Sequence, residues 1–190
     1  MPTRLATVGP MRSVVGAVSL AVILLLAACG GGNAVPTLAP TPTTTPLFAS
    51  EEEALAAAEE AYAAYLAMSG LISSEGGVEP ERIAPFVTEE RLVDELRGFE
   101  TYRALGIRTE GNDTFRVLEI QRFDVAPGGV EIAIYVCWDA SEVRVFDQDG
   151  TDVTPEDRDV NDLREIVLVA FNEQRRLVLE SDTPWSSESC

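Results

Sequence analysis

Hydrophobic positions fall into three regimes along the chain. From Val14 to Leu26 they form a thirteen-residue run free of charge, and from Gly30 to Pro46 they thin out among glycine, proline and threonine. From Phe48 onward they recur periodically, first at helical steps and then in alternation. The third regime, about 135 residues to Asp182, is one domain's worth of chain and long enough for a real core.

Ser50 followed by Glu51, Glu52 and Glu53 is a helix start: Ser50 and Glu53 have the spacing of a capping box, and acids suit the first turn. Leu55, Ala58, Tyr62, Tyr65 and Leu66 then recur at three- and four-residue steps, which predicts a long amphipathic helix stopping at Ser69-Gly70. The turn-rich EGGVEPERIAPFV that follows has room for one short helical turn. Thr88 opens a second helix with Leu92, Leu96, Phe99 and Tyr102 on one side, and Gly106 ends it.

Beyond Gly111 the period changes to two. TFRVLEIQRFDVA and VEIAIYVCW predict a hairpin around Pro127-Gly128-Gly129. In its second strand Val130, Ile132, Ile134, Val136 and Trp138 share one face, and Ala133, Tyr135, Cys137 and Asp139 the other. EVRVFD is a further short strand before the Asp149-Gly150 turn, and REIVLVAF and RRLVLES form a last hairpin around Asn172-Glu173-Gln174. Helices followed by a meander of about four to six antiparallel strands make an α+β domain.

The first two regimes decide where that domain works. A bilayer-spanning helix needs about 20 apolar residues, so the shorter run behind Arg4 and Arg12 has the layout of a secretory signal peptide over residues 1–28. Leu26-Ala27-Ala28-Cys29 looks like a bacterial lipobox, in which the cysteine is lipidated and becomes the new N-terminus; the alternative is ordinary secretion with an incidental cysteine. Several acyl chains anchor a protein firmly where one anchors it marginally. Residues 29–47 are then the anchor and its tether. GGGNAVPTLAPTPTTTP has four prolines, five threonines and no charge, a semi-extended stalk with a reach of roughly 50 Å at about 3 Å per residue. The expected location is the outer face of the cytoplasmic membrane.

Charge and missing residue types narrow the chemistry. Removing residues 1–28 takes away two arginines and no acid, moving the formal net charge from −18 to −20. Such a surface repels nucleic acid and anionic head groups and favours cationic partners. The chain has neither histidine nor lysine. That excludes Ser-His-Asp and Cys-His nucleophile systems, His-ligated zinc, Schiff-base lysines and the P-loop lysine. No cofactor is implied.

The order of helices before a meander, the sequence YVCWDASEVRVFDQDG and a cysteine at the extreme C-terminus resemble the NTF2-like, cystatin-related cone fold over residues 48–190. The likeness is to small lipoproteins of high-GC Gram-positive bacteria that carry this domain after a lipobox. The resemblance implies a curved sheet wrapping a long helix, with a pocket at the wide end that some relatives use for isomerase or dehydratase chemistry and others only for docking. It also implies that Cys137 and Cys190 are paired. With Cys29 lipidated, two thiols left in an oxidising compartment agree with a bridge. The other reading is a small buried Cys137 and a free Cys190.

An enzyme built this way must work with carboxylates and phenols. Asp139 and Tyr135 share a strand face at i, i+4, and Tyr62 and Tyr65 stand on the long helix opposite, so a desolvated Asp139 would be the candidate general base. Asp139-Ala140-Ser141 also reads as a turn in which the aspartate bonds backbone amides. The acids of DQDGTDVTPEDRDVND could ligate calcium or simply form a solvated loop; an EF-hand register fails, since Gly150 would put Val145 at its first position. Tyr62, Tyr65, Phe99, Tyr102 and Trp138 line either an apolar pocket or the core. The expectation is thus a non-enzymatic docking or ligand-binding module in the cell envelope, with an envelope protein, a small apolar ligand or a second copy as partner. The alternative is an isomerase- or dehydratase-type enzyme using Asp139 and a tyrosine.

Overall fold

The computed structural model describes residues 47–171, 176–185 and 190. The signal peptide, Cys29 and the stalk expected over residues 1–46 lie outside the described residues, as does the expected turn at Asn172-Glu173-Gln174.

The domain begins with α1 (Glu51–Ser74), whose first turn is closed as its sequence foretells: Ser50 Oγ accepts from the Glu53 amide at 3.2 Å. The Glu53 carboxylate reaches back to the amide of Ala49 at 2.7 Å. α1 does not stop at Ser69-Gly70 but runs on to Ser74. A mid-helix glycine costs about 1 kcal/mol, whereas Ile72, fully buried two residues beyond, is worth about 1.5–3 kcal/mol, so burial carries the helix through Gly70. A 3-10 segment, Pro80–Phe86, follows, longer than the single turn expected, and packs Ile83 into the core. In α2 (Glu89–Leu105) Thr88 Oγ1 accepts from the Arg91 amide, and Gly106, at φ 63°, caps the end. Phe99 is its buried anchor and Leu92 packs at the core's margin.

Four long strands follow the order β2-β3-β5-β6, every neighbouring pair antiparallel: β2 (Thr114–Ala126), β3 (Gly129–Asp139), β5 (Asn161–Phe171) and β6 (Val178–Pro184). Two register shifts in β2, at Val117/Glu119 and Ile120/Arg122, mark bulges, which bend and twist the strand. The short strand expected over EVRVFD is β4 (Arg144–Phe146), but it leaves the meander and pairs with β1 (Arg108–Glu110), a strand the periodicity did not announce. The architecture is α+β, with helices packed against one face of a four-stranded antiparallel sheet and a two-stranded ribbon beside it.

The inner face holds the core. Val130, Ile132, Ile134 and Val136 of β3, with Ile166 and Leu168 of β5 and Leu179 of β6, pack against Ala54, Ala58, Tyr62 and Tyr65 of α1. The outer face also buries Ala133, Val167 and Val169, and it carries Trp185 and Cys190. Trp185 donates its amide to the Leu163 carbonyl at 2.7 Å, its ring centroid lies 4.6 Å from that of Tyr135, and Cys190 is disulfide-bonded to Cys137 with a Cα–Cα distance of 5.8 Å.

Candidate functional site

The four residues singled out for a pocket do not converge on one site, although Tyr62 and Tyr65 stack with ring centroids 6.0 Å apart. Tyr62 and Tyr65 lie in the core on the inner face, while Tyr135 is on the outer face against Trp185. Asp139 ends β3 and turns its carboxylate onto the Ser141 amide at 2.8 Å. The Ser141 side chain and amide hold Asp139 below the usual aspartate range, the reverse of what a general base at neutral pH needs. The turn reading describes Asp139, and the pairing with a tyrosine that the alternative, enzymatic reading requires is not assembled around it.

The inner face instead brings together residues that the sequence alone did not join. Phe115 of β2 faces Trp138 of β3, Trp138 faces Asp162 of β5, and Ile166 of β5 faces Asp182 of β6. This register gathers the polar ends of three strands at one end of the sheet. Arg164 Nε donates to Asp182 Oδ1 at 2.5 Å, its Nη1 donates to Asp162 at 3.2 Å, and its guanidinium carbon stands 5.4 Å from the Trp138 ring centroid. Tyr62 Oη donates to the other oxygen of Asp182 at 2.9 Å, and its ring meets Phe115 edge-on at 4.8 Å. The Trp138 indole donates to Asp113 Oδ2 at 2.9 Å. A second buried link joins Tyr65 to Glu95 of α2 at 2.9 Å, with Arg91 donating to the same oxygen at 2.7 Å.

Burial first, and the neighbouring Asp182 charge second, hold the Tyr62 phenol far above its ordinary range; Tyr65 is raised in the same way by burial and Glu95. Both phenols are therefore neutral donors that satisfy carboxylates in a desolvated setting. Asp113 is raised chiefly by burial, with Asp182 adding to the shift more than Arg164 subtracts from it. The local sequence carries no signal for Asp113, Arg164 or Asp182, whose association depends on strand register.

Among the clefts of the described residues, two bear on the sites considered above. One, of about 250 Å³, lies between Phe48, Ala57, Ala61 and Phe86, with Arg176 placing its guanidinium 5.4 Å from the Phe86 ring centroid. The other, of about 430 Å³, opens between Ala63, Leu66 and Ala67 of α1 and residues 112–115, with Asp113 and Phe115 in its wall. Of the aromatics read as pocket or core, Tyr62, Tyr65 and Phe99 are core, and Tyr102 and Trp138 are half-buried. In the acidic loop, Asp147 accepts from the amides of Asp149 and Thr151, and Asp152 accepts from that of Thr154. These carboxylates build turns, and among the described residues no group of three or more metal-ligating side chains converges.

These features define an α+β domain with one sheet face covered by helices and a paired polar cluster at one end of its core. No family model matches the chain, and no curated protein matches it at a significant level. Among solved structures it is similar to the intermembrane space region of the chloroplast protein ARC6, at 12% identity and a TM-score of 0.45, over 68% of this chain and 95% of that one. A likeness of that size bears on neither function nor partner. Among the described residues, no helix is long and apolar enough to cross a membrane.

Proposed function

We propose that the chain is a lipid-anchored, extracytoplasmic NTF2-like domain that serves as a non-enzymatic docking or ligand-binding module in the cell envelope. The observation that carries the reading is the dispersal of the proton-transfer residues. Asp139 is closed onto Ser141, while Tyr62 and Tyr65 donate to Asp182 and Glu95 on the opposite face of the sheet from Tyr135. Proton transfer needs an acid or base within hydrogen-bond reach of a bound substrate, and Asp139, Tyr62 and Tyr65 are already engaged with Ser141, Asp182 and Glu95 respectively. The helix-then-meander order and the Cys137–Cys190 bridge agree with the resemblance, and the leader and stalk supply the anchor.

The full chain, expressed with its own leader in a Gram-positive host fed an alkyne-bearing fatty acid, is expected to carry the label and to sediment with membranes. Cys29→Ala is expected to lose both properties. Native mass spectrometry of the detergent-extracted chain is expected to show a bound small molecule or protein. An unlabelled wild-type chain would end the anchored reading, and turnover of a carbonyl substrate abolished by Asp139→Asn would end the non-enzymatic one.

A further inference from the structure

The 430 Å³ cleft has the size of a small-molecule site and an asymmetric distribution of charge. Ala63 and Ala67 leave room on the α1 side, and Phe115 supplies an aromatic wall on the other. Asp113 stands in that wall partly withdrawn from water, and the Trp138 indole takes one of the roughly four hydrogen bonds that a carboxylate can accept. Arg164, the guanidinium nearest this end of the core, is already committed to Asp182 and Asp162. Among the described residues Asp113 forms no salt bridge, although burial and the Asp182 charge make it gain from a positive neighbour.

The net charge of −18 draws cations toward the whole surface. A bare divalent ion would want six or more oxygens, or several carboxylates, around it, which one aspartate does not provide. An ammonium group needs only a counter-ion and hydrogen-bond acceptors, and an aromatic face adds a cation–π contact.

We propose that the cleft between α1 and the start of β2 binds a small organic ammonium ion, with Asp113 as its counter-ion and Phe115 against its apolar body. This deepens the ligand-binding reading above and rests on it. The Trp138 indole, bonded to the same carboxylate, reports occupancy.

The probe is 2-phenylethylamine, with neutral 2-phenylethanol as its isostere. Titrated into the full chain carrying Trp185→Phe, which leaves Trp138 as the only tryptophan, the amine is expected to shift the emission saturably. The alcohol should bind about tenfold more weakly or worse, the difference made by a charge-assisted bond. Asp113→Asn keeps an acceptor for the indole and removes the charge, so it is expected to weaken the amine about tenfold or more, to the level of the alcohol. In the otherwise unaltered chain, the amine should raise the thermal unfolding midpoint of wild type and raise that of Asp113→Asn less. No saturable response, equal binding of the alcohol, or undiminished binding by Asp113→Asn would overturn the proposal. If the amine fails while another molecule copurifies with the extracted chain, the ligand class is wrong and the binding-module reading stands.

Discussion

Asp113 and Asp139 show how one residue type takes opposite electrostatic characters in one domain. Asp139 lies at a strand end where the Ser141 hydroxyl and amide favour its charged form, while Asp113 is held above the ordinary value of 3.8 by burial and by Asp182. Because the folded state binds the Asp113 proton more tightly than the unfolded chain does, the stability from this group is fully present below 3.8 and is lost as pH rises through its folded value. Glu180 acts in the same direction above its ordinary 4.5, raised by burial and by Glu131 and Glu90. Asp139 and Asp152 act oppositely: their stability is present above 3.8 and is lost as pH falls through their depressed values. The thermal unfolding midpoint is therefore expected to rise as pH is lowered through the folded values of Asp113 and Glu180, and to fall again as it passes below the depressed values of Asp139 and Asp152. Asp113→Asn should flatten the rise. Of these residues only Asp139 was readable beforehand, since a turn is a local affair and Asp-Ala-Ser carries its own signal. Asp113 has meaning only through Trp138, 25 residues away.

At the scale of elements, local chemistry was legible where the ends are chemically marked and silent where packing overrides propensity. Ser50, Thr88 and Gly106 bound their helices as their side chains or lack of one dictate. Gly70 gave the opposite result, because Ile72 finds a buried site beyond it. β1, at three residues, is too short to display a period, whereas β4 was legible within EVRVFD and only its partner was not. The turn after α1 can be tested directly. Gly77 has φ 78°, and a Cβ there would come 2.3 Å from the Phe99 carbonyl oxygen of α2. At Gly106, with φ 63°, the nearest atoms an added carbon would meet are Gln148 Cγ, Cδ and Nε2, a flexible side chain that can swing away. Gly106→Ala is expected to cost about 1–2 kcal/mol, the left-handed penalty alone. Gly77→Ala should cost more, since backbone must separate from backbone. Equilibrium denaturant unfolding of both variants checks the order, and equal costs would mean that α2 gives way freely at Phe99.

At the scale of the whole molecule, Cys190 is held to the outer face by the bridge to Cys137, and Trp185 by its contact with Tyr135. A separation of 53 residues gives about 4 kcal/mol of stabilisation on the chain-entropy estimate. Cys137→Ala with Cys190→Ala is expected to lower unfolding stability by about that amount. Alkylation of the native wild-type chain should find neither of these thiols free until a reductant is added. The sequence by itself determined the helix starts, the class of the fold, the main hairpin of β2 and β3 and the turn at Asp139. Each of these follows from neighbours in the chain, through side-chain capping, hydrophobic period and turn chemistry. The pairing of β1 with β4, the gathering of Asp113, Trp138, Arg164, Asp182 and Tyr62, and the placing of Tyr62 and Tyr135 on opposite faces of the sheet were decided only by the tertiary structure. Those depend on strand register and helix docking, which are set by burial summed over the whole core and by no local stretch of the chain.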